Sequence, residues 1–341
     1  MIPISEVRFD LPLAIEPQLV STIIPVFNRP ELVQRAVASV LAQSYRPIEI
    51  ILVDDGSTDN TPAVLAELEL RHPVEIRVLC QANGGAGLAR ETGRQAARGA
   101  FIQYLDSDDY LLPNKFSDQV AALDSHPECA ISFGTSRLED ASGQVLNPVS
   151  RLTGERLSSL FPRLLLQRWW HTHTPLFRRW ISDAAGTWPA YRPEDWDLEA
   201  RMGALRPQLI HCGTTVSVQV EHDSPNRVTR GAADAYIRDE SIFLPRLHAC
   251  ALLGGVEPDA PEMALFSRWC FLRARQLDVL GESSSAARLL ALARYSGSAN
   301  SGRSAAWQQW VYGNLRSLVG ASIVGSLASL HRPRHPHLLV R

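Results

Sequence analysis

The sequence is short of several things, and each shortage excludes something. Five cysteines, Cys80, Cys129, Cys212, Cys250 and Cys270, are scattered with no CxxC pair. That argues against a zinc ribbon and for a reducing compartment rather than a disulfide scaffold. No run approaches the roughly 20 apolar residues of a spanning helix, and Met1 to Pro17 interleaves Glu6, Arg8, Asp10 and Glu16 with its apolar residues, unlike a signal peptide. The expected location is therefore cytoplasmic, with peripheral contact on the inner face of the cell membrane left open. Lysine is nearly missing: Lys115 stands alone among 34 basic residues, a bias no local chemistry explains. Net charge is only −2, so a nucleic-acid coat is excluded. Acidic residues stop at Glu282, beyond which come seven arginines, so a basic tail follows an acidic body.

The remaining composition is that of a globular protein, 45% apolar and 21% charged over 341 residues, long enough for about two domains. Apolar β-branched runs at 19–26, 48–53, 74–79, 100–105 and 129–133 predict strands. Between them lie helical patterns. Asn28 followed by Pro30, and Asn60 followed by Pro62, predict two helix starts with asparagine caps. Residues 85–98 predict a helix with small side chains, and Pro113-Asn114 opens another. Strand and helix alternating over short loops imply a mainly parallel sheet covered on both faces.

In such sheets ligands bind beyond the carboxyl ends of the strands. The rule selects Pro25 to Asn28, Asp54 to Ser57, Cys80 to Gly85 and Asp106 to Asp109. Three carboxylates within Asp106-Ser107-Asp108-Asp109 repel one another and call for a cation; hard oxygen donors suit Mg²⁺ or Mn²⁺ beside a phosphate. A solvated acidic turn is the alternative. Of Asp54 and Asp55, one is expected to shape the turn at Gly56 and the other to bind a ligand. Asn83-Gly84-Gly85-Ala86-Gly87 is a glycine-rich helix entry that a phosphate could approach closely, and Arg90 lies one turn further on, facing phosphate or solvent.

These stretches in order, STIIPVFNRPELVQRAVASVLAQ, IEIILVDDGSTDNT, NGGAGLARETGRQAARGAFIQYLDSDDYLLP and RPEDWDLEARM, resemble a family 2 glycosyltransferase of the GT-A fold, an inverting type, over residues 19 to 225. The resemblance implies an α/β, Rossmann-like nucleotide-binding domain over 18–231, after an N-terminal extension of 1–17. It implies a nucleotide-diphosphate sugar donor, UDP rather than GDP or dTDP from the match at Asp55, and a hydroxyl of a glycan or lipid-linked acceptor. By matching position, Pro25, Phe27 and Asn28 line the base pocket with Asp54 and Asp55, while Asn83, Arg90, Asp106 and Ser107 take the sugar-diphosphate. Asp108, with Asp106, ligates Mn²⁺ or Mg²⁺. Asp195 is the general base and Arg201 the arginine that follows it. The family often reads ARN where this chain has Ala89-Arg90-Glu91, so Glu91 departs from the pattern.

Three further features are weighed beside that match. Glu194 and Asp197 also suit a helix N-terminus. His222 is a third metal ligand or a loop histidine. Glu194, Trp196 and His173 are placed on the acceptor side, with His171 and His173, two apart, pointing the same way if extended. Trp188 and Tyr191 either stack on a sugar or belong to the core.

From 232 the pattern turns helical, at 235–252, 261–280 and 283–295, followed by a Ser/Gly linker at 296–304. An apolar stripe of Leu315, Leu318, Val319, Ile323, Leu327 and Leu330 within 305–330, flanked by arginine, is a helix for a membrane interface or for docking on protein. Competing readings are a non-catalytic nucleotide-sugar-binding or scaffolding protein and a nucleotidyltransferase; the non-basic first loop, Pro25 to Arg29, argues against the latter.

Overall fold

A computed structural model describes residues 14–221, 233–297, 303–321 and 324. Nine strands among them form one sheet: β1 (Glu16–Val26), β2 (Ile48–Asp54), β3 (Ile76–Cys80), β4 (Gly99–Tyr104), β5 (Tyr110–Leu111), β6 (Cys129–Asp140), β7 (Val145–Asn147), β8 (Leu176–Arg178) and β9 (Gln208–Glu221). The order is β3-β2-β1-β4-β8-β6-β9-β5, with β7 hanging on β6. The first four strands are parallel, with Ile23 opposite Ile51 and Tyr104. Antiparallel β8 joins this block to β6, and β9 runs parallel to β6.

The central parallel strands are mostly apolar because both faces are covered, with Ser21, Thr22, Glu49 and Gln103 among the buried polar exceptions. Side chains alternate between faces. Ile50 and Leu52 meet Val33, Val37 and Val40 of α1 (Pro30–Leu41), Leu65 of α2 (Thr61–Arg71) and Phe116 on one face. Ile51 and Val53 meet Ala89 and Ala96 of α3 (Ala86–Ala96) on the other. Phe116 belongs to α4 (Lys115–Ser125), and two further helices, α5 (Arg179–Ala184) and α6 (Glu194–Ala204), follow β8.

The apolar cluster on the α3 face continues without a break into α7 (Ala233–Leu253), α8 (Pro261–Val279) and α9 (Ser283–Gly297), through Phe243, Leu247, Phe266, Leu277 and Leu289. The C-terminal helices therefore complete the core of the sheet domain.

Some local expectations are corrected. Neither asparagine caps through its side chain: Arg29 occupies the cap position of α1 and Asn60 that of α2, both without a side-chain cap bond. Asn28 instead has φ 51° and ties two loops, its Oδ1 accepting from Thr58 N at 2.8 Å. The Ser/Gly linker begins later than its composition suggests. Helix α9 runs through Gly297 with Ser296 buried, because the Ser296 hydroxyl donates back to Leu292 O at 2.8 Å. A further helix, α10 (Arg303–Val319), follows. Its Tyr312 packs on Phe271, and its Arg316 pairs with buried Asp278.

Candidate active site

A cavity of about 1090 Å³ opens at the carboxyl ends of β1, β2 and β4. Pro25, Phe27, Asp55, Asn83 and Arg90 form one wall with Asp106, Ser107, Asp108 and Asp109 at its floor; Glu194, Asp195 and Trp196 form the opposite wall. Asp108 and Asp195, 87 positions apart in the chain by their numbers, thus face one space.

The turn after β2 is held by its own acids. Asp54 Oδ1 accepts from Ser57 N at 3.0 Å and does not line the cavity, so Asp54 is the turn-forming member of its pair. Asp55 does line it. Its carboxylate accepts from Gln81 Nε2, Gly84 N and Gly85 N, each at 2.8 Å, and so clamps the glycine-rich loop against the first turn. The close approach needs Gly56: its φ is +74°, and a Cβ there would lie 2.9 Å from Asn83 N. Asn28 lies outside the lining, engaged with Ser57 and Thr58.

Charge on the floor is distributed among arginines. Asp108 pairs with Arg29 at 2.6 Å, and Asp106 pairs with Arg90 at 2.5 Å. Arg90 also reaches Glu194 at 2.9 Å and lies 4.8 Å from the Trp188 ring. It is only 4% exposed, so the solvent-facing alternative fails. Burial alone would weaken its hold on the proton; Asp106 and Glu194 reverse that and raise its pKa.

Beneath the floor, His173 Nδ1 lies 2.8 Å from Asp109 Oδ2, while Asp109 Oδ1 accepts from Val220 N at 2.9 Å. His173 is fully buried, absent from the lining, and in a turn rather than a strand, which corrects its placement on the acceptor side. Burial pushes the Asp109 carboxyl up, with His173 opposing. Asp106, Asp109 and His173 offer ligand atoms all within 4.8 Å of one another. Two carboxylates and an imidazole fit a divalent cation of the Mn²⁺ type. Asp108 faces the same cavity but is engaged by Arg29, and His222 lies outside the described residues.

Asp195 begins α6 beside a second arginine. Arg168, 8% exposed, donates to Asp195 and to Glu199 one turn on, and Trp170 Nε1 donates to Glu199 at 3.1 Å. Thr172 Oγ1 lies 3.3 Å from Asp195. Burial would raise the Asp195 carboxyl, but Arg168, Arg90 and Arg151 hold it below the usual range. For Glu194 burial and the Asp195 charge prevail, and its carboxyl is raised. Burial and its neighbour's charge thus oppose ionisation of Glu194, while the arginines favour that of Asp195.

Other aromatic and basic candidates serve the frame. Trp188 packs edge-on to Tyr104 at 4.7 Å, and Tyr191 donates to buried Asp197 at 2.6 Å. Arg201 pairs with Asp197 at 2.8 Å and donates to Ala185 O, away from the cavity. Glu91, where the family often has asparagine, accepts from Arg94 and from Trp188 N.

Several lining residues carried no recognised signal in sequence. Arg168 interrupts the apolar run from Leu164 to Trp170, a usable cue. Arg151, Tyr236, Ile237, Arg273 and Gln276 gave none, yet the last four bring α7 and α8 to the rim, so the C-terminal helices supply part of the cavity lining.

Sheet order, cavity and acidic floor define a GT-A glycosyltransferase fold. TarS of S. aureus, in a structure with UDP-GlcNAc, superposes with a TM-score of 0.60 at 16% identity over 88% of this chain and 92% of that one. A mannosyltransferase from Pyrobaculum calidifontis, in complex with GDP-Man and Mn²⁺, does so with a TM-score of 0.52 at 16% identity over 94% and 91%. Residues 21–179, just under half of the chain, match the profile described as Glycosyl transferase family 2. An uncharacterized glycosyltransferase of Rickettsia conorii is 38% identical over 162 residues, 46% of this chain; the chain spans only 26% of that relative's length.

Proposed function

We propose that the chain transfers a sugar, with inversion, from a nucleotide-diphosphate donor to a hydroxyl of a glycan or lipid-linked acceptor. The observation carrying this reading is that Asp106 and Asp108 on one wall and Asp195 on the other face a single cavity. The base and ribose lie along Pro25, Phe27, Asp55 and Asn83, with UDP favoured by the Asp55 match. The diphosphate lies over Arg90, Asp106 and Ser107. Asp106 with Asp109 and His173, or with Asp108, would hold Mn²⁺ or Mg²⁺, which supplies positive charge against the departing diphosphate.

Asp195 accepts the proton of the acceptor hydroxyl as its oxygen forms a bond to the anomeric carbon. The bond from that carbon to the diphosphate oxygen breaks on the opposite face, and its electron pair leaves with the nucleotide. Arg168 and Thr172 fix the carboxylate's direction. A non-catalytic or scaffolding role gives no reason for Asp106, Asp108 and Asp195 to line one cavity.

The test is release of nucleoside diphosphate from UDP- and GDP-sugars, with and without Mn²⁺, and with candidate acceptors. Metal-dependent release that Asp106→Asn abolishes supports the reading. Failure of every nucleotide sugar to raise the melting temperature would sink it.

We also propose contact with an anionic membrane surface through α10. No described helix is long and apolar enough to cross a membrane. On α10, however, Trp307 and Trp310 are 64% and 62% exposed and Leu318 is 80% exposed, on one face by helical spacing. Of the proposed apolar stripe, Ile323, Leu327 and Leu330 lie outside the described residues. Arginine without acid follows throughout this region, as such a surface requires. Sedimentation with phosphatidylglycerol vesicles, lost in Trp307→Ser/Trp310→Ser, is the expected result.

A further inference from the structure

Arg151 is an exposed arginine that pairs with no acid among the described residues. It lines the cavity beside the Asp195 wall. Of its five N–H donors, only Nε is used, donating to His171 Nδ1 at 3.2 Å. That bond places the imidazole proton on Nε2, where Ser150 Oγ lies 2.8 Å away. No carboxylate among the described residues pairs with Arg151. The acids near it, Asp195 and Glu199, are already taken by Arg168. The residue is exposed, so water reaches the guanidinium, and among the described residues neither Nη group has a hydrogen-bond partner.

The backbone at this residue is strained. Arg151 has φ 55°, a left-handed conformation uncommon for a residue with a side chain. Its neighbours enforce it: Ser150 N donates to Ser136 O at 2.6 Å, and Leu152 N donates to Trp169 O at 3.1 Å. A left-handed backbone and a guanidinium that no described acid engages, at one cavity residue, point to a ligand for its Nη groups.

We propose that Arg151 binds an anionic substituent, carboxylate or phosphate, on the acceptor, making the acceptor an acidic glycan or a phosphate-bearing polyol. The inference rests on the transferase reading above and deepens it. The acceptor side is assigned because the charged neighbours of Arg151 are Arg168, Asp195 and Glu199, whereas the floor acids Asp106 and Asp108 are served by Arg90 and Arg29. A planar guanidinium with two free Nη groups suits bidentate recognition of such an anion.

The experiment is calorimetry on the full chain saturated with UDP and Mn²⁺, so that the donor half is filled, titrated with glycerol 1-phosphate, glucuronate and glycerol. Wild type should bind at least one anion and not glycerol, and the stronger of the two names the substituent. Arg151→Gln should weaken that anion at least tenfold, with Arg151→Lys between, while UDP affinity stays within twofold. Arg151→Gly should melt above Arg151→Gln, because glycine relieves the left-handed strain. Anion affinity unchanged in Arg151→Gln overturns the proposal, as does binding of neither anion by UDP-loaded wild type. An equal loss of UDP affinity in Arg151→Gln assigns the residue to the donor and also overturns it. If wild type binds no nucleotide at all, the transferase reading itself fails.

Discussion

Arg90 Nη1 lies 2.9 Å from Glu194 Oε1, across 104 positions of sequence, and so joins the glycine-rich helix entry of the nucleotide half to the helix that carries Asp195. The same guanidinium holds Asp106. The acidic floor and the proposed base are therefore linked through one buried cation. Arg90→Ala should leave two acids facing a dry gap; removing one partner of a buried ion pair costs about 3–5 kcal/mol. Urea unfolding should show that loss, and Arg90→Lys, which cannot span both partners, should recover less than half of it. A variant as stable as wild type would refute the tie.

Asp195→Asn is expected to fold and to bind donor, since Arg168 keeps Glu199 as a partner. Transfer should fall about 10²–10⁴-fold, the usual contribution of a general base. Single-turnover rates with donor bound would measure it, and retention of more than a tenth of the rate would remove Asp195 from the proton transfer.

Gly87 sits where α3 meets the segment before α6. A Cβ there would lie 2.1 Å from Pro189 O and 3.3 Å from Glu194 Cβ. Backbone cannot give way cheaply, so Gly87→Ala should cost about 1–3 kcal/mol by overpacking. It should also lower turnover more than donor affinity by moving α6 off the floor. Equal losses in both would place the contact outside the transfer geometry.

Lys115, the sole lysine, is 1% exposed, with Nζ donating to Gln119 Oε1 at 2.5 Å and to Thr174 O at 2.7 Å. Burial lowers its pKa to about 7, with a small opposing contribution from Cys212. An unfolded lysine keeps its proton to about pH 10.4. Between those values the unfolded chain binds more protons than the folded one, so stability rises with pH, by at most about 1.4 kcal/mol per unit, and levels off below pH 7. Denaturation midpoints from pH 7 to 9 should show this rise, and Lys115→Met should flatten it. An unchanged slope in that variant would assign the effect elsewhere.

The amino-acid sequence by itself determined the alternation of strand and helix, the strand-end loops and the acidic floor. Those are local: apolar period, turn glycines and the two-face burial of parallel strands all operate within a dozen residues. Asp54 and Asp55 could be told apart only as a pair, because which of them clamps the Asn83 loop depends on a contact near 30 residues away. Tertiary structure alone decided that His173 belongs under Asp109, that Arg90 and Arg168 brace opposite walls, that Arg151 pairs with no acid among the described residues, and that α7 and α8 close the rim. Each of those follows from charges brought together by packing, and an arginine in sequence carries no mark of which carboxylate will meet it once water is excluded.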